Sequence, residues 1–171
     1  MTSVLSKERI EELIRQSPPL IECFQNLNDQ LQPNGFDLTL SKLALYNTTG
    51  RLTVKNSQRI LSDTAPLAFD GLGFIDLMPG VYLITYNEIV NLPKDIMAIA
   101  APRSSLLRCG ATVNTAIWDA GYSGRSQSQL VVYHPQGIRL EQNSRITQLV
   151  FFKLDGQTEG YQGIYQGENT V

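Results

Sequence analysis

The sequence predicts an all-β fold, a distorted antiparallel β-barrel or jelly roll carrying a short N-terminal helix. Apolar and polar residues alternate with a period of two, as in Phe36, Leu38 and Leu40 against Asp37 and Thr39. Turn residues punctuate the chain at Thr49-Gly50, Pro79-Gly80, Leu92-Pro93, Gly121, Gly124 and Pro135-Gln136-Gly137. After the opening segment no helical pattern is long enough to serve as a crossover, which argues against a βαβ fold.

Residues 3–16 read as one amphipathic helix, with Ser6 as cap, Glu8 in the first turn, an apolar stripe of Ile10, Leu13 and Ile14, and Pro18-Pro19 as the stop. Its expected place is over one end of a sheet or against a second subunit. Strands are expected at 36–40 and near 43–46, 51–55, 73–77, 81–86, 96–101, 111–117, 129–134 and 146–152. Neither an internal repeat nor an interdomain linker is evident, so residues 1–155 read as a single β domain. Residues 156–171 form a glycine- and glutamine-rich tail, either a frayed end or a flexible segment that orders over a ligand.

At 171 residues, with 42% hydrophobic and 18% charged side chains, the chain is long and apolar enough to bury a core. A net charge of -2 supplies no field for capturing nucleic acid or an anionic membrane, so neither is an expected partner. Cys23 and Cys109 make no disulfide framework, no apolar run approaches a membrane span, and no signal peptide is evident, so the expected compartment is the cytoplasm. His134 is the single histidine, so no protein-held metal site is expected.

The chemistry is concentrated in two segments. Arg103-Ser104-Ser105-Leu106-Leu107-Arg108 offers two guanidiniums and two hydroxyls on a prospective helical turn that brings Arg108 back beside Ser104. Forked guanidinium donors and short hydroxyl donors suit phosphate oxygens, although such a turn with solvated arginines is the plain alternative. Asp119-Ala120-Gly121-Tyr122-Ser123-Gly124 follows the apolar Ile117-Trp118, placing Asp119 where a strand yields to a bend, partly buried beside a pocket. A carboxylate there can orient water toward phosphorus, or simply cap a turn; Tyr122 can stack on a sugar or base, or pack in the core. Asp37 and Gln148 are further polar groups in apolar surroundings, each either ligand-directed or cross-linking backbone. Together these groups point to a nucleoside triphosphate, with any Mg²⁺ carried by its phosphates rather than by a protein cage.

The order of these pieces resembles the superfamily uniting dUTPases and dCTP deaminases. The likeness runs from the opening helix through Gln32-Pro33-Asn34-Gly35-Phe36-Asp37-Leu38-Thr39-Leu40, both segments above, Arg145-Ile146-Thr147-Gln148-Leu149-Val150-Phe151, and Tyr161-Gln162-Gly163-Ile164-Tyr165-Gln166-Gly167. It implies a homotrimer with active sites between subunits. In that resemblance Arg103, Ser104 and Arg108 of one subunit bind the phosphates together with Gln148, and Ser105 belongs to the substrate site. Asp119 contacts the 3′-hydroxyl and acts as base toward water, Tyr122 packs against C2′ of the deoxyribose and excludes a ribose hydroxyl, and Thr115 and the tail residues Tyr161, Tyr165 and Gln166 complete the substrate site. Asp37 and Gly121 support it. Deaminases of the superfamily also carry a glutamate on the strand after the aspartate. Here the positions read Arg125, Ser126, Gln127, Ser128 and Gln129, and the spacer from Thr115-Ala116 to Asp119 is shortened to Ile117-Trp118. The pattern therefore implies dUTP diphosphohydrolysis in a deaminase-like frame, the alternatives being a dCTP deaminase, a bifunctional enzyme, or a non-catalytic deoxynucleotide sensor.

Overall fold

Backbone pairing follows the period-two pattern over most of the chain. A computed structural model describes residues 3–170, so Met1 and Thr2 of the expected domain and Val171 of the expected tail lie outside the described residues. In chain order the elements are β1 (Ser3–Val4), α1 (Lys7–Ile14), β2 (Ile21–Glu22), α2 (Leu27–Gln30), β3 (Leu31–Gln32) and β4 (Gly35–Tyr46). After a 3₁₀ turn at Asn56–Gln58 come β5 (Thr64–Leu67), β6 (Phe74–Leu77), β7 (Gly80–Tyr86), β8 (Ile89–Asn91), β9 (Ile96–Pro102) and α3 (Ser104–Arg108). The remainder is β10 (Ala111–Asn114), β11 (Ser123–Gly124), β12 (Gln127–Val132), β13 (Ile138–Glu141) and β14 (Arg145–Lys153).

The main sheet runs β1-β14-β4-β7-β12-β10, with β3 and β5 also on β4 and β9 on β14. Two small ribbons, β11-β8-β2 and β13-β6, complete a curled half-barrel whose pairings are antiparallel. Long β4 is the hinge of this arrangement: one half pairs with β14, the other with β7, and the register shifts between Leu40 and Lys42 where it changes partner. Phe36, Leu38, Leu40, Ile84, Tyr86, Leu130, Leu149 and Phe151 are fully enclosed and form the core.

Several sequence expectations are corrected by pairing. The opening helix spans only Lys7–Ile14, because Ser3 and Val4 extend the edge of β14 and the Ser6 side chain caps the helix at Arg9 N. Ile10, Leu13 and Ile14 are buried as the stripe requires, each worth about 1.5–3 kcal/mol. Residues 51–55 form no strand; Arg51 makes one isolated bridge to Ile60, and Leu52 and Val54 project into solvent without a sheet to cover. The expected strand at 111–117 stops at Asn114. The polar face of β4 is also not solvated: Asp37 and Thr39 are as buried as their apolar neighbours.

Candidate active site

Asp119 occupies a tight turn after Trp118, which is buried, exchanges both backbone hydrogen bonds with Ala98, and donates its indole N–H to Ser126 Oγ at 3.0 Å. Tyr122 N closes the turn on Asp119 O at 3.1 Å. Gly121 makes the turn possible: its φ is +85°, and a Cβ there would stand 2.6 Å from Gly160 Cα. The Asp119 side chain is exposed in the single chain, not partly buried, and among the described residues it makes no hydrogen bond or ion pair. It is therefore free to orient a water.

Asp119, Tyr122, Trp118, Gln127, Tyr161 and Tyr165 line one cavity of about 770 Å³, together with Arg51 and Leu52 and with Ile60 and Leu61. The volume suits a nucleotide-sized ligand. Tyr122 is buried at the base, its ring edge-on to Tyr161 with centroids 5.7 Å apart. Thr115 is not part of the lining; its neighbours Ala116 and Ile117 are.

The prospective phosphate ligands gather elsewhere. Arg103 caps α3, Ser104 and Ser105 open it and Arg108 ends it, all three of the latter being exposed. Arg103 Nε holds Asp37 Oδ2 at 2.9 Å, and Arg145 Nη1 approaches the same oxygen at 3.5 Å. Burial pushes the Asp37 carboxyl above its ordinary value, against the pull of both arginines, and among the described residues its Oδ1 has no hydrogen-bond partner. Gln148 sits opposite Asp37 in the β14–β4 register. None of these residues lines the cavity that holds Asp119.

The tail joins the cavity group. Gly167 N donates to Ser123 O and Arg125 N to Glu168 O, while Gln166 accepts from Ser123 N and donates to Gly121 O. Glu168 Oε1 accepts the Tyr122 hydroxyl at 2.9 Å. Burial and the adjacent Glu168 charge push the Tyr122 phenol far up, and burial raises the Glu168 carboxyl despite the hydrogen bond. Sequence reasoning missed Glu168; the only signal was an acid closely following Tyr165-Gln166 in a tail otherwise rich in glycine. It also missed Glu88, which is fully enclosed and accepts from Gln30 Nε2 at 2.7 Å, Thr39 N at 2.9 Å and the Thr39 hydroxyl. That network ties β4 to α2 and to the turn before β8.

A family model described as dCTP deaminase-like matches residues 4–154. The chain belongs to the dCTP deaminase-like family. Among its relatives, a probable deoxyuridine 5′-triphosphate nucleotidohydrolase of Methanosarcina mazei is 48% identical over 169 residues, covering 98% of this chain and 99% of that protein. One of the same description from Archaeoglobus fulgidus is 48% identical over 167 residues, 98% of either chain. The crystal structure of 2′-deoxycytidine 5′-triphosphate deaminase from Agrobacterium tumefaciens superposes with a TM-score of 0.65 at 23% identity, over 89% of this chain and 48% of that one, a likeness of fold. Within this dCTP deaminase-like chain, β12 brings Gln127 to the cavity wall, bonded to Thr85 Oγ1 at 3.0 Å, and Gln129 to Asn114 at 3.2 Å. It contributes no carboxylate.

Proposed function

We propose that this protein is a dUTP diphosphatase, hydrolysing dUTP to dUMP and diphosphate. The observation that carries the reading is the cavity's acid inventory: among the described residues only Asp119 and Glu168 line it as carboxylates, and Glu168 is engaged by Tyr122. Ring deamination needs a carboxylate for its proton transfers, and β12 offers glutamines. Water activation needs one carboxylate, and Asp119 is unencumbered. Near-full-length identity to proteins named as dUTP nucleotidohydrolases supports the same choice.

In the proposed reaction a water held by Asp119 attacks the α-phosphorus in line. Its proton passes to the carboxylate, the bond from that phosphorus to the bridging oxygen breaks, and diphosphate departs. Tyr122 packs on the deoxyribose. Arg103, Ser104, Ser105, Arg108 and Gln148 bind the phosphates, offsetting charge as it shifts to the leaving group, with Asp37 holding Arg103 in place. Those residues lie outside the Asp119 cavity, so they reach the substrate from a neighbouring subunit of a homotrimer, and Thr115 acts at that shared boundary. Tyr161, Tyr165 and Gln166, within the closing segment 156–171, shield the site from bulk water. Among the described residues no three His, Cys, Asp or Glu side chains converge on one point. Mg²⁺ is accordingly assigned to the substrate's phosphates, which it would help to neutralise. No helix among the described residues is long and apolar enough to cross a membrane, and the proposed setting is the cytoplasm.

Separate incubations with Mg²⁺ and dUTP or dCTP, following dUMP, diphosphate and ammonia, test the reading. The expected result is dUMP and diphosphate from dUTP, lost in Asp119→Asn, without ammonia from dCTP. Ammonia from dCTP would establish the deaminase instead, and binding of dUTP without turnover would establish a sensor.

A further inference from the structure

The hydroxyl of Tyr122 and the carboxylate of Glu168 form a built pair inside the cavity. The backbone fixes both partners. Tyr122 O accepts from Leu92 N, and Tyr122 N bonds Asp119 O. Glu168 lies in a segment clamped at Gly167 N to Ser123 O (2.7 Å), Arg125 N to Glu168 O (2.9 Å) and a reciprocal pair between Arg125 and Asn169. Gly124 leaves room for the pair: a Cβ there would stand 2.7 Å from Tyr122 Oη and 3.2 Å from Glu168 Cγ. Tyr161 meets the Tyr122 ring edge-on, with centroids 5.7 Å apart, and both rings line the cavity.

A phenol inside a cavity is both an apolar plate and a donor. Left free, its hydroxyl would offer a hydrogen bond to a ribose 2′-hydroxyl and so reward the wrong sugar. A carboxylate acceptor, stronger than any neutral group, commits that proton to the tail and leaves only ring carbon to meet the sugar. A carboxylate also repels phosphate, which confines it to the sugar end of the cavity. Glu168 is thus suited to a task that neither packing nor tail closure requires of an acid.

Building on the dUTP reading above, we infer that Glu168 is a positioning residue for sugar selection, acting through the Tyr122 hydroxyl. It makes discrimination against ribonucleotides a property of the docked tail, because the acceptor arrives with residues 166–169.

The test compares kcat/KM for dUTP and UTP in the full-length protein. Glu168→Ala is expected to lower the dUTP/UTP ratio by about tenfold, the equivalent of one charge-assisted hydrogen bond redirected to the wrong sugar. Glu168→Gln, which retains a carbonyl acceptor, is expected to restore most of the ratio. In a Tyr122→Phe background, Glu168→Ala is expected to leave the ratio unchanged, because no hydroxyl remains to be controlled. An unaltered ratio in Glu168→Ala, or an equal fall with and without the Tyr122 hydroxyl, would overturn the inference while leaving dUTP hydrolysis intact. A loss of turnover for both nucleotides in equal proportion would show a role in folding or closure alone and overturn it likewise. Failure of the unaltered protein to hydrolyse dUTP would instead remove the functional reading on which the inference rests.

Discussion

Replacing Glu88 by Gln is a substitution of nearly equal size in a site with no solvent access. Glu88 Oε1 accepts from Gln30 Nε2 and the Thr39 hydroxyl, and Oε2 accepts from Thr39 N. A glutamine can present its carbonyl to the first two donors, but its amide then faces the Thr39 backbone N–H, which cannot turn away. One hydrogen bond is lost and two buried donors, the Thr39 N–H and the introduced amide, are left facing each other, a cost of about 1–3 kcal/mol for each. Relief from burying a charge offsets most of it, giving an expected loss of about 1–2 kcal/mol at pH 8.

The pH dependence has a definite sign. Burial raises the Glu88 carboxyl above its ordinary value, outweighing the donors from Thr39 and Gln30. The folded state therefore binds this proton at a pH where the unfolded chain has released it. The stabilisation is fully present below the ordinary carboxylate value of the unfolded chain and is lost as pH rises through the raised folded one. Glu88→Gln has no such group, so its deficit relative to the unaltered protein should widen as pH falls from 8 to 5. Asp37 and Glu168 are raised in both proteins and cancel in the difference. Urea unfolding at fixed protein concentration, followed by the fluorescence of the single tryptophan, Trp118, measures it. A deficit that narrows toward pH 5 would show that the donors dominate burial and would refute the reasoning.

Asp37→Asn removes the carboxylate that holds Arg103 and Arg145, whose side chains are about a third exposed; screening reduces the expected stability loss to about 1–2 kcal/mol, while KM for dUTP should rise as Arg103 loses its anchor. Truncation at Gly156 should reduce dUTP turnover at least tenfold and shift the urea midpoint little, since the tail docks on formed structure; equal losses in both would contradict its role. Asp119→Asn and Arg108→Ala should each be inactive alone, and mixed subunits of the two should recover about a quarter of native activity if sites are shared between neighbours. No recovery in demonstrated mixed oligomers would place a complete site in each chain.

The turn bearing Asp119 was legible because Gly121 marks backbone that other residues avoid, its φ being +85°, and α3 because one helical turn returns Arg108 to the side of Ser104; that Leu106 is buried and Leu107 exposed was not legible. Period-two alternation located β9 and β14, which bury one face more than the other, and also β4, although there the alternating Asp37 and Thr39 are enclosed too. The same alternation misled at residues 51–55, where Leu52 and Val54 have no sheet to lean on. Short β5, β8 and β13 carry too few residues for a period and depend on partners already in place. Glu88 and Glu168 were illegible for a related reason: their meaning comes from Thr39 and Tyr122, each more than 40 positions away in the chain.

Hydrolysis of dUTP in H₂¹⁸O, with products resolved by mass, tests the central claim most directly. Attack of an Asp119-held water at the α-phosphorus predicts one ¹⁸O in dUMP and none in diphosphate, with both products lost in Asp119→Asn. Label in the diphosphate, or undiminished hydrolysis by the Asp119→Asn protein, would contradict it.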